Sequence, residues 1–469
     1  MESQQIKEFG LTHFGGAALG DERRSKRLVT VAEQVMQHPE GTWPDKLPDP
    51  ADLDAFYRLV NRPEVTHAAV LGPHRAETQA RMRAATDTVL ILHDTTELDY
   101  SGLTIDLGPI GGGYNHGYLC HNSLAVTARG EVLGLANQIL FRRPRVTKKE
   151  KKADSARRHD RESRLWKRGS EAIAPAPEEK LWVDVADRGA DITEFLAYEI
   201  AHHKHFVVRS KSNRRVLLDA EKPGGKPERA KLHDLVRQLP EQGRQALHVP
   251  SGPGRSPRDT EVAIAFVKLQ IRPPREARGE YSRALLTVWA VRVWEPNPPA
   301  DVEPLEWVLL TNVAVNHGAD AWERVAWYKR RWILEDYHKT LKSGCSIEDM
   351  QFTSDGALQP AIAIVSVVAV GLLWLRGVSR TPEAHTRQAR ERFPEIMIRV
   401  LSAWRYRKQP PRLDMTVYEF CYALARLGGH QNRKHDGPPG VIVLWRGWTK
   451  LQLMTAGASA TLAAECGET

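Results

Sequence analysis

Cysteine is scarce in this chain: four in 469 residues, Cys120, Cys345, Cys421 and Cys466, with no Cys-x-x-Cys pair and no Cys/His cluster. That argues against a disulfide framework or a structural zinc site and fits a reducing cytoplasm. Long hydrophobic runs are missing too. The most apolar one, Ala361 to Leu375, falls short of the roughly 20 residues a membrane-spanning helix needs, so it reads as a buried helix. The first residues, MESQQIKEFG, contain no signal-peptide core. No internal repeat or long low-complexity tract occurs, and no arrangement of residues marks an activated protein nucleophile. The expectation is a cytoplasmic protein without a membrane partner. Acidic residues are outnumbered: 58 Asp and Glu against 67 Lys and Arg leave a net charge of +9. Such a balance favours a polyanionic partner, nucleic acid first and anionic membrane second.

Length suggests about three domains, or one large domain with insertions. Residues 17–37 predict a helix opening at Gly20-Asp21, with Arg23, Arg24, Lys26 and Arg27 in its first turns and an apolar face behind them. A Pro-rich connector, the segment AFYRLVNRPEV and a helix from His67 to Ala84 follow. Residues 1–70 thus read as a helical DNA-binding domain, because phosphate contact and base readout both lean on Arg and Lys.

At Thr88 the pattern changes to VLILHD, an apolar run that ends in Asp94-Thr95-Thr96. Buried strands look like this. Strand-like runs follow at Ser123–Thr127 and Glu131–Phe141, after a Gly-rich loop, Gly108–Gly117, that does not fit a phosphate-binding fingerprint. Arg142 to Arg168 carries thirteen Lys or Arg, with helical periodicity in its second part; it is either a solvated run or a phosphate contact. KLWVDVAD, Lys180 to Asp187, is a second buried strand ending in acid, then come a helix and the strand HFVVRSK. Three strands, a helix, a strand, a helix and a strand predict an α/β fold, a ribonuclease-H-like core at 71–365. Within it, residues 215–315 read as a mostly β insertion, with runs at Ala246–Val249, Val262–Ile271, Ala284–Val293 and Trp307–Val313. Residues 366–469 read as a helical C-terminal domain.

Trp327 to Lys342, WYKRRWILEDYHKTLK, predicts one helix. Tyr328, Arg331, Glu335 and Lys342 then fall at about 0°, −60°, −20° and −40° around it, on a single stripe. Read blandly, Arg331 and Glu335 form an i,i+4 ion pair on a solvated face. Read chemically, Glu335 joins Asp94 and Asp187 as three carboxylates suited to Mg²⁺, which prefers oxygen ligands and keeps positions open for substrate phosphates. Two such ions about 3.5–4 Å apart can clamp the attacking and leaving oxygens of an in-line phosphoryl displacement. Arg331, Lys342, Tyr328 and Arg209 would meet DNA phosphates near the cut. Asp94 equally reads as a turn residue, and Asp187 as the cap of the helix after it.

Tyr328-x2-Arg331-x3-Glu335-x6-Lys342 resembles the Y-R-E-K signature of bacterial cut-and-paste DDE transposases. With each residue type at roughly 5% usage, four fixed matches at one start arise by chance on the order of 10⁻⁵. ALGDERRSKRLV, AFYRLVNRPEV, Asp94-Thr95-Thr96, ADRGAD, FVVRSK, EWVLLT and ARLGG…LWRGW resemble, in order, segments of the transposase of transposon Tn-five, so the resemblance spans nearly the whole chain. It implies that Asp94, Asp187 and Glu335 are the catalytic, metal-binding triad for two Mg²⁺ ions, with Mn²⁺ as substitute. It implies DNA contacts by Tyr328, Arg331, Lys342 and Arg209. Trp307 would stack on a base flipped out as the transposon end closes into a hairpin; otherwise it is a core Trp of the insertion. Arg27 would touch transposon-end DNA. The implied partners are transposon-end duplex, target DNA and a second copy of the chain, joined through the C-terminal helices. The basic stretch Arg142–Arg168 and the Gly/Pro-rich Pro250–Pro257 depart from the family pattern. Two other readings stay open: an end-binding protein without catalysis, and a structure-directed nuclease using the same metal core.

Overall fold

The computed structural model describes residues 3–112, 114–145, 158, 160–218, 228–249, 257–272, 284–300, 302–407, 410–433 and 436–466. Residues 146–157 and 159 of the basic stretch between Arg142 and Arg168, and Pro250–Pro257 except its last residue, lie outside the described residues. The chain gathers into two units. One comprises Met1–Thr78, Tyr100–Asp106 and Glu335–Thr469; the other comprises Gln79–Asp99 and Leu107–Leu334. The helical ends that the sequence divides between separate domains therefore fall in the same unit.

That first unit is helical. It starts with α1 (Ser3–Phe14), α2 (Glu22–Gln37), α3 (Trp43–Lys46), α4 (Pro50–Val60) and the beginning of α5 (His67–Ala84). The α2 start falls where the sequence predicts it. Gly20 takes φ +75°, in the left-handed region, and Asp21 caps the helix by accepting from the Arg23 backbone N–H at 2.8 Å. Leu28, Val29, Val31, Ala32, Val35 and Met36 are buried along one face of α2, which follows from their three- and four-residue spacing. The indole of Trp43 stacks on Phe56 at 3.8 Å between centroids, with Phe352 edge-on to both.

The apolar run at 361–375 turns out to be part of a longer helix, Asp355–Ser379. Its 25 residues, opened by the Ser354 cap on Ala357 N–H, make it long and apolar enough to cross a membrane. Most of that window is buried inside the protein, as in a core helix. Pro360 lies in its second turn, where its missing N–H leaves the Gly356 carbonyl, four residues earlier, without that intrahelical donor.

The second unit is built on a 12-stranded mixed sheet. In chain order its strands are β1 (Val89–Asp99), β2 (Gly108–Ile110), β3 (Asn115–Thr127), β4 (Val132–Phe141), β5 (Trp182–Ala186), β6 (His205–Arg209), β7 (Arg215–Leu218), β8 (Glu228–Lys231), β9 (Gly243–Val249), β10 (Arg258–Ile271), β11 (Leu286–Trp294) and β12 (Glu306–Thr311). The Gly-rich segment read as a loop is a β-hairpin, with β2 pairing Asn115–Gly117 of β3. β3 pairs antiparallel with β1 and β4, and β1, β5 and β6 run parallel. The crossovers between those parallel strands are helical, through α6 (Leu165–Glu171) after β4 and α7 (Thr193–Ala201) after β5.

The inserted region is not a separate layer. β12 pairs antiparallel with β6, and β11, β10, β7 and β8 continue the same sheet outward, with α8 (Leu232–Gln238) packed against it. The short strands β7 and β8 and the helix α8 were not anticipated from the sequence. Each is four to seven residues long, too short to carry a periodic signal.

The predicted single helix from Trp327 to Lys342 is broken. α9 (Gly318–Lys329) ends, Arg330 and Arg331 form a tight turn, and α10 (Trp332–Lys339) begins. Around the turn the backbone bonds span three residues: Arg330 to Trp327, Arg331 to Tyr328, Ile333 to Arg330 and Leu334 to Arg331, all at 2.9–3.1 Å. After Lys339 the chain widens instead into a π-turn, Thr340–Gly344, closed by Cys345 N–H on Thr340 O at 2.8 Å. Tightening and widening both abandon the 100° step, so the single α-helical stripe is corrected. No Pro or Gly marks the first break, which is why periodicity alone runs through it.

Candidate active site and nucleic-acid interface

Asp94 and Asp187 come together through strand register. β1 and β5 pair in parallel up to His93 opposite Ala186. The next residue in each chain is Asp94 and Asp187, so both carboxylates leave neighbouring strands at the same level. The sequence placed Asp94 at a strand end, but β1 continues to Asp99 because β3 keeps pairing with it there. What ends at Asp94 is the pairing with β5. Side chains alternate across a strand, so Leu90, Leu92 and Asp94 share a face with Val183 and Val185.

Asp94 is half-buried. Its Oδ1 accepts from the Thr95 backbone N–H at 2.8 Å, and its Oδ2 meets Arg331 Nη1 at 3.1 Å. Asp187 acts as a cap, though of the 3-10 turn Arg188–Ala190 and not of the α-helix, which has Ile192 at its N-cap: Asp187 Oδ1 accepts from Gly189 N–H at 2.8 Å. That bond engages one oxygen of the carboxylate. Gly189 is needed there, since a Cβ would come within 2.4 Å of the Trp166 ring.

Four more of the expected residues adjoin this pair. Arg331 has 13% of its side chain exposed, and its guanidinium lies 6.0 Å from the Tyr328 ring centroid and 5.4 Å from that of Trp332. Tyr328, in the last turn of α9, is buried, with its ring edge-on to Trp307 at 5.6 Å. Trp307 is half-buried on β12, opposite Val293. Arg209 ends β6 and donates from Nη2 to Glu306 O at 3.2 Å. Burial lowers the pKa of Arg209 and the cations of Arg188 and Arg331 add to this, against a hydrogen bond with Tyr328. Asp94, Arg331, Tyr328, Trp307 and Arg209 are thus linked, neighbour to neighbour, in one constellation.

Glu335 lies in the first turn of α10 and belongs to the helical unit. Lys342, in the π-turn, pairs with Glu348 at 3.0 Å. Arg27 projects from α2 to Asp52 of α4 at 2.5 Å, and Gln34 donates to the same carboxylate at 2.6 Å. Its cation therefore braces two helices of the N-terminal segment. Described members of the basic stretch also hold carboxylate partners: Arg143 with Glu162 at 2.7 Å, Arg158 with Asp160 at 2.8 Å and Arg161 with Glu194 at 2.8 Å.

Two features escaped the sequence reading. Trp332 is 56% exposed beside Arg331; a large aromatic among charged residues was the available signal. Asp184, in the middle of the apolar strand WVDVA, is buried against His93. An acid inside such an apolar strand is itself the available signal. Carboxylate oxygens of the Asp94 and Asp187 type suit a hard divalent cation. Among the described residues, no group of three or more His, Cys, Asp or Glu side chains is gathered tightly enough to hold a metal ion, and one oxygen of Asp94 faces a guanidinium.

Comparison with known families bears on the other end of the chain. Residues 8–65, covering most of α1 and all of α2, α3 and α4, match the transposase DNA-binding family. The chain carries a DNA-binding segment. That segment is of the transposase kind, which supports a DNA-processing role and DNA as the partner.

Proposed function

We propose that the protein is a DDE-type DNA transposase that moves a DNA element by cut-and-paste phosphoryl transfer. The observation that carries the reading is the level register of Asp94 and Asp187 on adjacent parallel strands, beside an Arg, Tyr and Trp that suit DNA. The strand order β4-β3-β1-β5-β6, antiparallel to β1 and parallel after it, is the one expected of a ribonuclease-H-like core. The transposase-type segment at residues 8–65 supplies the substrate class.

In this reading Glu335 completes the triad with Asp94 and Asp187, and the three hold Mg²⁺ or Mn²⁺. When bound, two such ions lower the pKa of water and stabilise charge on the attacking and leaving oxygens. Arg331, which pairs with Asp94, would be free to meet a phosphate if that carboxylate held a cation instead. Arg209 and Lys342 neutralise flanking phosphates, and Tyr328 hydrogen-bonds one. Trp307 offers its exposed edge to an unstacked base. The reaction order is water attack at each element end, attack of the freed 3′-OH on the opposite strand to form a hairpin, hairpin opening by water, and attack of the 3′-OH on target DNA. Arg27 and its neighbours hold the end sequence, and two copies of the chain hold two ends.

The test is a labelled duplex carrying a candidate end from the DNA flanking the gene, incubated with purified protein and Mg²⁺ beside Asp187→Ala and Glu335→Ala. A nick followed by a hairpin-sized band, absent from both variants, supports the reading. A second reading, end binding without catalysis, is favoured by the Asp94–Arg331 ion pair, which already satisfies one carboxylate. Binding without cleavage in either Mg²⁺ or Mn²⁺ selects it.

A further inference from the structure

On the opposite face of the sheet from Asp94 lies a sealed group of ionisable side chains that the proposed chemistry does not use. His93 is fully buried, and its Nε2 meets Asp184 Oδ1 while its Nδ1 lies 3.1 Å from Ser123 Oγ. A carboxylate only accepts, so Nε2 carries the proton and Nδ1 accepts from the serine. Ser123 is the cross-strand partner of His93 on β3, and Asp184 projects from β5. Side chains thus lace β3, β1 and β5 together one residue before Asp94 and three before Asp187.

The surroundings hold this bridge closely. His121 stacks on His93 at 5.6 Å and its Nδ1 lies 2.9 Å from Thr95 Oγ1. Gly169 of α6 lets that helix lie directly on both rings, because a Cβ would come within 2.7 Å of His121 Nε2 and 3.1 Å of His93 Nδ1. Glu199 of α7 is buried beside Asp184, and burial, with the Asp184 charge added, raises its pKa well above the usual carboxyl range. Lys204 donates to Ser170 O at 2.6 Å, Ser170 Oγ at 2.8 Å and Ile173 O at 3.2 Å, pinning the end of α6. Tyr198, Glu171 and His205 are the other titratable groups that act on this cluster.

A buried ion-type pair is a poor source of stability, since apolar side chains of the same volume do as well or better. What it supplies is direction: a hydrogen bond has one good geometry, whereas apolar strands tolerate small slides. We propose that His93 and Asp184 are positioning residues whose bridge fixes the level of β1 against β5 and thereby the separation of the Asp94 and Asp187 carboxylates. The proposal rests on the functional reading above.

The full chain and three variants test it. Asp184→Asn keeps an acceptor for His93 and removes the charge; Asp184→Leu removes both; Ser123→Ala removes one hydrogen bond and little else. Each is assayed for melting, end-duplex binding, Mn²⁺ binding by loss of the free-ion paramagnetic signal, and cleavage against Mn²⁺ concentration. The expected result is that Asp184→Leu raises the Mn²⁺ half-saturation about 10–100-fold, the usual scale for groups that orient metal ligands. Asp184→Asn restores most of the affinity, Ser123→Ala falls between, and duplex binding is unchanged in all three. If Asp184→Leu fails to fold, Ser123→Ala decides, and wild-type Mn²⁺ dependence in it overturns the bridge. A wild type that cuts, with variants that take up Mn²⁺ as it does, overturns the bridge alone. A wild type that binds the duplex yet neither takes up Mn²⁺ nor cuts overturns the functional reading, and the bridge with it.

Discussion

The two faces of one pair of strands are built to opposite specifications. On one face, β1 and β5 deliver Asp94 and Asp187, both half-exposed, with Arg331 on Asp94. On the other, the same strands deliver His93 and Asp184, fully enclosed beneath α6 and α7. Carboxylates sit on both sides, so composition does not separate them. Solvent does. An aspartate that water can reach can exchange its partner for a metal or a phosphate, whereas one without water must keep the partner it folds with. The period-two alternation of a strand lets a single short sequence, HDTT or WVDVAD, serve both purposes.

The comparison breaks most visibly if the open face is dispensable. Asp187→Ala is expected to lower end cleavage by at least about 10³-fold, the scale of removing charge stabilisation from a transition state, while leaving duplex binding and melting intact. Gel assay of nick and hairpin bands beside a binding isotherm checks it. On the sealed face the expected effect moves from activity to stability. His93→Ala strands the Asp184 carboxylate without its donor and costs about 3–5 kcal/mol, which a denaturant titration reads directly. If that variant melts like the wild type, the enclosed face is not what holds these strands.

Trp307→Ala sharpens the open face further. Loss of one stacking partner is worth about 1–3 kcal/mol, so hairpin formation should slow about 10- to 100-fold with the first nick little changed. Equal loss in both steps would instead make Trp307 a support for Tyr328.

A subtler difference lies in pH. Burial raises the Glu199 pKa in the folded protein, whereas the unfolded chain releases that proton above the ordinary value of 4.5. Its folded pKa is raised, so its contribution to stability is complete below 4.5 and is lost as pH climbs toward the raised value. Glu199→Gln should match the wild type near pH 4 and become relatively more stable above it, by up to about 1.4 kcal/mol per pH unit. Parallel stability curves for the two proteins would mean that Glu199 is not enclosed as described. The smallest expected effect belongs to Arg27. Its partly exposed pair with Asp52 contributes about 1 kcal/mol or less to stability. If Arg27 also touches a phosphate, Arg27→Ala should reduce the salt slope of end binding by about one.

Much of this was legible in the sequence because the signals were local. VLILHD and KLWVDVAD are continuous apolar runs with an acid at a fixed place, and a helix opening at Gly20-Asp21 follows from a left-handed glycine before a capping aspartate. The order of strands and helices then leaves few topologies. Other features depend on partners far along the chain. The turn at Arg330–Arg331 interrupts a sequence with good helical periodicity, and the π-turn around Lys342 leaves no mark in composition. The pairing of Arg331 with Asp94 joins residues 237 apart. Arg27 was read as a free cation for DNA, but its partner, Asp52, sits in the next long helix, beyond what spacing on α2 can reveal.

The seam between β6 and β12 divides the strands that position the two carboxylates from those that do not. Within the sheet, β12, β11, β10, β7 and β8 follow one another outward from the β6 edge. Strand β8, at the far margin, is seven places from β1, roughly 30 Å of sheet at about 4.8 Å per strand. Residues can be gained or lost at that margin without altering the interval between Asp94 and Asp187. A change of length in β7 or β8 is therefore expected to leave the two carboxylates where they are, whereas one in β1 or β5 is not.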